Sequence, residues 1–120
     1  VERKIEEIHQ NHNLPGKPYL TYRIPQIYHT GVCIYFMFGF YLKDFDSPED
    51  TFTAMEHEIR KTVMENGGSI SHHHGVGKLR QEFMSQVMSK DSIDLIKSVK
   101  KSQDPQNVFG ISNNVFASKV

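Results

Sequence analysis

Val32-Cys33-Ile34-Tyr35-Phe36-Met37-Phe38-Gly39-Phe40-Tyr41-Leu42 alternates in character every second residue, which is the period of a β-strand. Val32, Ile34, Phe36, Phe38, Phe40 and Leu42 share one face. It is apolar throughout and is expected to pack on helices. Cys33, Tyr35, Met37, Gly39 and Tyr41 share the other face, which mixes a thiol, two phenols, a thioether and a gap. A phenol among apolar neighbours needs a partner for its hydroxyl. Tyr35 therefore reads either as a core tyrosine bonded to a backbone carbonyl or as a phenol aimed into a lined pocket.

Working outward, Thr30-Gly31 is a turn, and Tyr19 to Ile24 is a strand built from aromatic and β-branched residues. Pro25 marks an edge or a bend, after which Ile27 and Tyr28 resume the strand. Asn11 to Pro18 is a loop, and Val1 to Gln10 is the end of a helix carrying Ile5 and Ile8. Downstream, Ser47-Pro48-Glu49-Asp50 is a helix start: a capping Ser, Pro at the first helical position and acids in the first turn. Phe52, Met55, Ile59 and Val63 follow at helical spacing, and Asn66-Gly67 closes the helix with a glycine cap. His57 on this helix reads as solvated. Ser69 to Ser71 is expected to be extended and to pair beside the long strand. Leu79, Phe83 and Val87 mark a second helix. Ser92 to Lys101 is a third, with Asp91 as its cap and Ile93, Ile96 and Val99 facing in. Asp104-Pro105 stops it. These elements make an α+β chain, an antiparallel sheet covered by helices and followed by a helical segment.

The chain has 120 residues, enough for one small domain, and its 14 basic and 14 acidic residues balance. That balance argues against a nucleic-acid arm or a strongly membrane-steered surface. A single cysteine excludes an internal disulfide and does not require an oxidising compartment. No apolar run is long enough to span a bilayer, no signal peptide is read at Val1, and Ser118-Lys119-Val120 lacks the leucine of a peroxisomal ending.

The candidate for chemistry is Gly67-Gly68-Ser69-Ile70-Ser71-His72-His73-His74-Gly75-Val76-Gly77-Lys78. Histidine donates, accepts or ligates near neutral pH, and Gly75 and Gly77 suggest a backbone lying close against something flat or bulky. The plain alternatives are a tag remnant, a solvated loop or a metal site. In an extended backbone His72 and His74 share a face and His73 points away. A metal would need at least one further ligand, with Cys33 and His29 available but at no recognised zinc spacing. Gly75-Val76-Gly77-Lys78 is not a phosphate-cradling fingerprint.

Gly68-Ser69-Ile70-Ser71 followed by His74-Gly75-Val76-Gly77, together with Asp104-Pro105-Gln106-Asn107-Val108-Phe109, resembles the C-terminal end of the FAD-linked oxidases of the vanillyl-alcohol-oxidase type. Their pattern is Gly-Ser-x-Ser-x-Glu-His-Gly-x-Gly, then Asp-Pro-x-x-x-Leu-Asn-Pro-Gly. Here His73 stands where most members carry Glu, and Gly110 to Asn113 replaces Asn-Pro-Gly. Both departures resemble one branch, the alkyldihydroxyacetonephosphate synthases, which carry Ser-His-His-His-Gly-Val-Gly-Lys-Leu-Arg (Ser71 to Arg80) and Cys-Ile-Tyr-Phe (Cys33 to Phe36). The likeness runs from about Arg23 onward.

The resemblance implies a piece of a longer FAD-dependent chain: residues 1–77 as the end of a substrate cap domain, and residues 78–120 as a helical segment returning to an FAD-binding domain that lies upstream. Such a piece is expected to be inactive alone and, with uncovered sheet edges, poorly stable. The branch exchanges the acyl chain of acyl-dihydroxyacetone phosphate for a long-chain fatty alcohol with no net redox change, the flavin serving as a covalent handle. It is peroxisomal, with its targeting signal expected upstream, and the implied assembly is a homodimer with peripheral membrane contact and no nucleic acid. By resemblance Tyr35, His72, His73 and His74 are catalytic, Tyr35 as acid/base and His73 and His74 assisting the departing carboxylate. Gly75, Gly77 and Asn113 are implied near the cofactor, and Arg23 and Lys78 near the substrate, with no metal. Lys78 and Arg80 are candidates for adding positive field to the phosphate, set against the commoner reading of both as a solvated helix face. Met37, Phe36 and Phe38 are candidates for lining a fatty-chain tunnel, set against the commoner reading of aromatic stripes as core. The rival readings are a flavin-dependent 2-hydroxyacid dehydrogenase, which would need Glu in place of His73, and a non-catalytic ferredoxin-like module that binds a partner through its sheet.

Overall fold

The structure is a computed structural model that describes residues 1–110 and 112–116. They divide into two compact units, Val1–Ser69 and Ile70–Val120. The expectations that fall on Ser118, Lys119 and Val120 lie outside the described residues. No helix among the described residues is long and apolar enough to cross a membrane.

The first unit is a β-hairpin closed by two helices. Strand β1 (Tyr19–Tyr28) pairs antiparallel with β2 (Gly31–Gly39), joined at His29-Thr30, and they form a two-stranded sheet. Directly opposed residues share a face. Leu20 faces Phe38, Tyr22 faces Phe36 and Ile27 faces Val32 on the apolar side. Thr21 faces Met37, Arg23 faces Tyr35 and Gln26 faces Cys33 on the mixed side. Between Arg23 and Gln26 the register shifts: the three steps from Arg23 to Gln26 match only two from Tyr35 to Cys33. The extra residue falls at Ile24-Pro25. Proline has no N–H to give a ladder, and a bulge is where a strand can hold one. The strand therefore bends at Pro25 and continues.

Helix α1 (Glu2–Asn11) buries Ile5, Ile8 and His9. Helix α2 (Pro48–Glu65) buries Met55 and Ile59, one helical turn apart. With Leu14 these aliphatic residues form the core, against which Leu20, Phe38, Phe40, Leu42 and Phe45 pack. Phe52 sits at the rim and stacks on Phe38 with centroids 5.7 Å apart. The apolar face of β2 is thus covered only at its Phe38 end. Val32 and Ile34 stay 48% and 45% exposed, and Ile27 opposite them 78%. The expectation that the whole face packs on helices holds for half of it, because α1 and α2 gather around the Leu20–Phe38 end.

Helix α2 begins at the expected place, with Ser47 as N-cap and Pro48 at the first helical position. The Ser47 side chain makes no capping bond; its carbonyl accepts from the Thr51 hydroxyl at 2.9 Å. At the far end Gly67 takes φ +77°. The Gly67 N–H donates to Met64 O at 3.0 Å and the Gly68 N–H to Val63 O at 2.8 Å, the two bonds of a left-handed glycine cap. His57, read as solvated, is half-buried, 3.8 Å from Glu58.

The α+β class stands, but the third strand is not formed. Ser69 to Ser71 has no strand pairing, and Ile70, the first residue of the second unit, is buried. Three residues following a helix cap give a ladder little length.

In the second unit the expected helix through Leu79, Phe83 and Val87 is broken. Residues 77–80 form turns, Gln81–Phe83 is a 3₁₀ turn, and α3 spans only Met84–Val87. Phe83 and Met84 are buried, while Leu79 and Val87 are exposed. Helix α4 (Lys90–Gln103) starts two residues earlier than expected. Its cap is Ser89, whose side chain accepts from Ser92 N at 3.2 Å, and not Asp91. Ile93 and Ile96 are half-buried, but Val99 is exposed. The helix ends at Asp104 as expected. The Asp104 carboxylate then accepts the N–H groups of Val108 at 2.7 Å and Phe109 at 3.0 Å, and pairs with Lys100. The Lys100 ammonium first, and the two backbone N–H groups after it, hold that carboxyl below the usual aspartate range.

Candidate functional site

The site residues fall into two groups, one in each unit. In the second, the histidines follow the α2 cap directly and have no regular secondary structure. Gly75 has φ +75° and Gly77 φ +57°, and among the described residues no heavy atom beyond the adjoining residues lies within 4 Å of where a Cβ would stand on either. Glycine is needed here for the left-handed turn, and not because a Cβ would meet a neighbour among the described residues. The same open space leaves the backbone of Gly75 and Gly77 accessible to a planar group.

All three histidines are exposed. Their rings form a chain: His72 meets His73 edge-on with centroids 5.2 Å apart, and His73 meets His74 at 4.3 Å. The expected alternation, with His73 turned away, does not occur, because the chain bends here and is not extended. His72 Nδ1 and His73 Nδ1 are 2.9 Å apart. One nitrogen must donate and the other accept, so at least one of the two rings is neutral while that bond stands.

Two contacts tie this loop down. The Arg80 guanidinium donates to the Gly75 carbonyl at 3.2 Å, and the Asn114 N–H donates to the Gly77 carbonyl at 3.0 Å. Val115 beside it is buried, which anchors that end of the tail. Asn113, one residue before, is exposed next to the glycine turn. The three residues expected near the cofactor, Gly75, Gly77 and Asn113, are therefore brought together. Lys78 is exposed in the same turn. The open glycine backbone with an exposed amide beside it fits the flat, hydrogen-bonding ring of a flavin.

In the first unit Arg23 and Tyr35 are cross-strand partners. The guanidinium carbon lies 4.8 Å from the Tyr35 ring centroid, a cation–π contact. Tyr35 is half-buried on the mixed face. The three tunnel candidates are not gathered. Phe38 packs on the core, Met37 is on the opposite face, and Phe36 lines a groove of about 540 Å³ with Ile34, Val1 and Val63.

Sequence reasoning missed the structural roles of Arg80, Asn114 and Asp104. It also missed His9, which is buried against Phe40 with ring centroids 6.3 Å apart and an Nε2 that has no hydrogen-bond partner among the described residues. The signal for His9 was present, since it follows Ile5 by one helical turn on the apolar face.

Residues 2–110 match the model of the FAD linked oxidases, C-terminal domain, and the chain belongs to that family. Among curated proteins it is similar to the alkyldihydroxyacetonephosphate synthase of Caenorhabditis elegans, 38% identical over 91 residues that cover 76% of this chain and 15% of that protein. The synthase of the same name from Dictyostelium discoideum is 32% identical over 89 residues, 71% of this chain and 14% of the relative. A shorter match, 35% over 51 residues, covers 42% of this chain and 11% of the glycolate oxidase subunit GlcD of Bacillus subtilis (strain 168). The chain thus spans about 15% of the length of the first of these relatives.

Proposed function

We propose that this chain is the C-terminal part of a flavin-dependent alkyl transferase that exchanges the acyl chain of acyl-dihydroxyacetone phosphate for a long-chain fatty alcohol. The observation that carries the reading is the histidine chain itself. At position 73 an imidazole, bonded to His72 and edge-on to His74, stands where hydroxyacid-oxidising members of the family have a carboxylate. An imidazole can donate to an anionic leaving group; a carboxylate repels one.

Residues 1–77 then close the substrate cap, and residues 78–120 return to the flavin domain. Gly75, Gly77 and Asn113 would hold the isoalloxazine edge of FAD. FAD, when bound, supplies the covalent chemistry at the dihydroxyacetone-phosphate carbon. Tyr35, oriented by the Arg23 guanidinium over its ring, moves a proton at the reacting carbon. His73 and His74 donate to the departing carboxylate, and Lys78 and Arg23 offer positive charge to the phosphate. The peroxisomal setting, the homodimer and a peripheral membrane contact belong to the same proposal.

The test uses the intact protein with FAD, palmitoyl-dihydroxyacetone phosphate and labelled hexadecanol. Labelled ether product, lost in His74→Ala with FAD retained, is expected. The match to the glycolate oxidase subunit supports a second reading, oxidation of a 2-hydroxyacid. Flavin reduction by glycolate with no ether product would replace the first reading by that one.

A further inference from the structure

The histidine loop is exposed and irregular, with two left-handed glycines at its end. Such a stretch has little intrinsic reason to hold three rings in one arrangement. Arg80 reaches it from a rigid base. The Arg80 carbonyl accepts the Phe83 N–H at 3.1 Å, and Phe83, 2% exposed, and Met84 are core residues of this unit. From there the guanidinium crosses five residues to the Gly75 carbonyl, immediately after His74. Arg80 is half-buried, whereas Lys78, two residues earlier, is exposed.

We propose that Arg80 is a positioning residue: its guanidinium clamps the Gly75 carbonyl and so fixes the direction in which His73 and His74 present their rings. It acts through the histidines. This rests on the histidines being the reacting groups of the proposed function, but the clamp itself has a readout that does not. The Arg80 fork is planar and donates along fixed directions; a lysine in its place would carry the charge on a flexible stem with no such fork.

The experiment compares intact, FAD-loaded wild type with Arg80→Gln and Arg80→Lys. Hydrogen exchange of the peptide covering residues 70–79 is measured first, with the flavin absorbance as the check on folding. Loss of one hydrogen bond should speed exchange in the loop roughly fivefold in Arg80→Gln, with Arg80→Lys between it and wild type. Ether formation is measured next. A misplaced histidine should lower kcat by about 10- to 100-fold, with KM for acyl-dihydroxyacetone phosphate held within about twofold. The loss should rank the variants in the same order as the exchange. Unchanged loop exchange overturns the clamp. Faster exchange with unchanged kcat overturns its role in positioning. A raised KM with kcat intact makes Arg80 a phosphate ligand and overturns the proposal as well. If wild type forms no ether product, the proposed function fails, and the exchange measurement still decides whether Arg80 clamps the loop.

Discussion

Gly68→Ala is expected to loosen the end of α2 and the start of the histidine stretch together. A Cβ at Gly68 would stand 2.4 Å from Val63 Cγ1 and 2.9 Å from Val63 O. The methyl group can rotate away at a cost of about 0.5–1.5 kcal/mol for an unfavourable χ1. The carbonyl cannot, because it accepts the Gly68 N–H at 2.8 Å, and any retreat stretches that bond, worth about 0.5–1.5 kcal/mol. Together the loss is about 2 kcal/mol, which is roughly thirtyfold in a local opening equilibrium. Hydrogen exchange of the segment covering residues 60–72 in the intact protein reads it directly. Val63→Ala in the same background should recover about half of the effect by removing the side-chain clash. Gly67→Ala should cost about 1–2 kcal/mol through its positive φ alone, since among the described residues no heavy atom beyond the adjoining residues lies within 4 Å of its Cβ position. Exchange in Gly68→Ala within twofold of wild type would refute the reasoning, and the glycine cap would not be what closes α2.

Asp104→Asn should release the turn it holds, seen as faster exchange of the Val108 and Phe109 amides. Because the Asp104 pKa is lowered in the folded chain, its stabilising effect is complete above the ordinary value of 3.8 and is lost as pH falls through the lower folded value; protection that rises on acidification would contradict this. His9→Phe keeps the ring beside Phe40 and removes a buried, unpaired nitrogen, so urea unfolding should show a gain of about 1 kcal/mol; a loss would mean that a water satisfies Nε2. Met55→Ala, at a position 1% exposed, should cost about 2–5 kcal/mol in the same assay. His73→Glu should abolish ether formation while leaving the flavin spectrum intact; retained turnover would count against the proposed role of the imidazole.

The readable parts of the fold were those whose signals are local. Ser47-Pro48 and Asn66-Gly67 carry the chemistry of helix ends in the residues themselves, and α2 runs between them. The alternation from Val32 onward produced β2, although the strand ends at Gly39 and not at Leu42 as expected, and Pro25, read as an edge or a bend, falls where the register shifts. What failed depended on tertiary choice. Ile70 had the composition of a strand and is buried without strand pairing. Leu79, Phe83 and Val87 had helical spacing, yet only Phe83 is buried and the helix is cut short. Ser89 and Asp91 were both competent caps, and the side-chain oxygen in reach of the Ser92 N–H won. At the site, the histidines and glycines stood out by residue type. Arg80 and Asn114 did not, because their part is played by a hydrogen bond that only the folded backbone defines.

The bulge at Ile24-Pro25 also bears on how this chain behaves before it is fully assembled. Among the described residues the sheet has two strands, so each has an outer edge with no strand paired to it. On β1 the proline and the irregular register interrupt that edge. Strand β2, Gly31–Gly39, has no proline and no charged residue, and nothing in its composition deters another strand from docking alongside. The segment that specifies the fold is thus also its greatest aggregation liability, with a guard built into one side of the hairpin and none into the other.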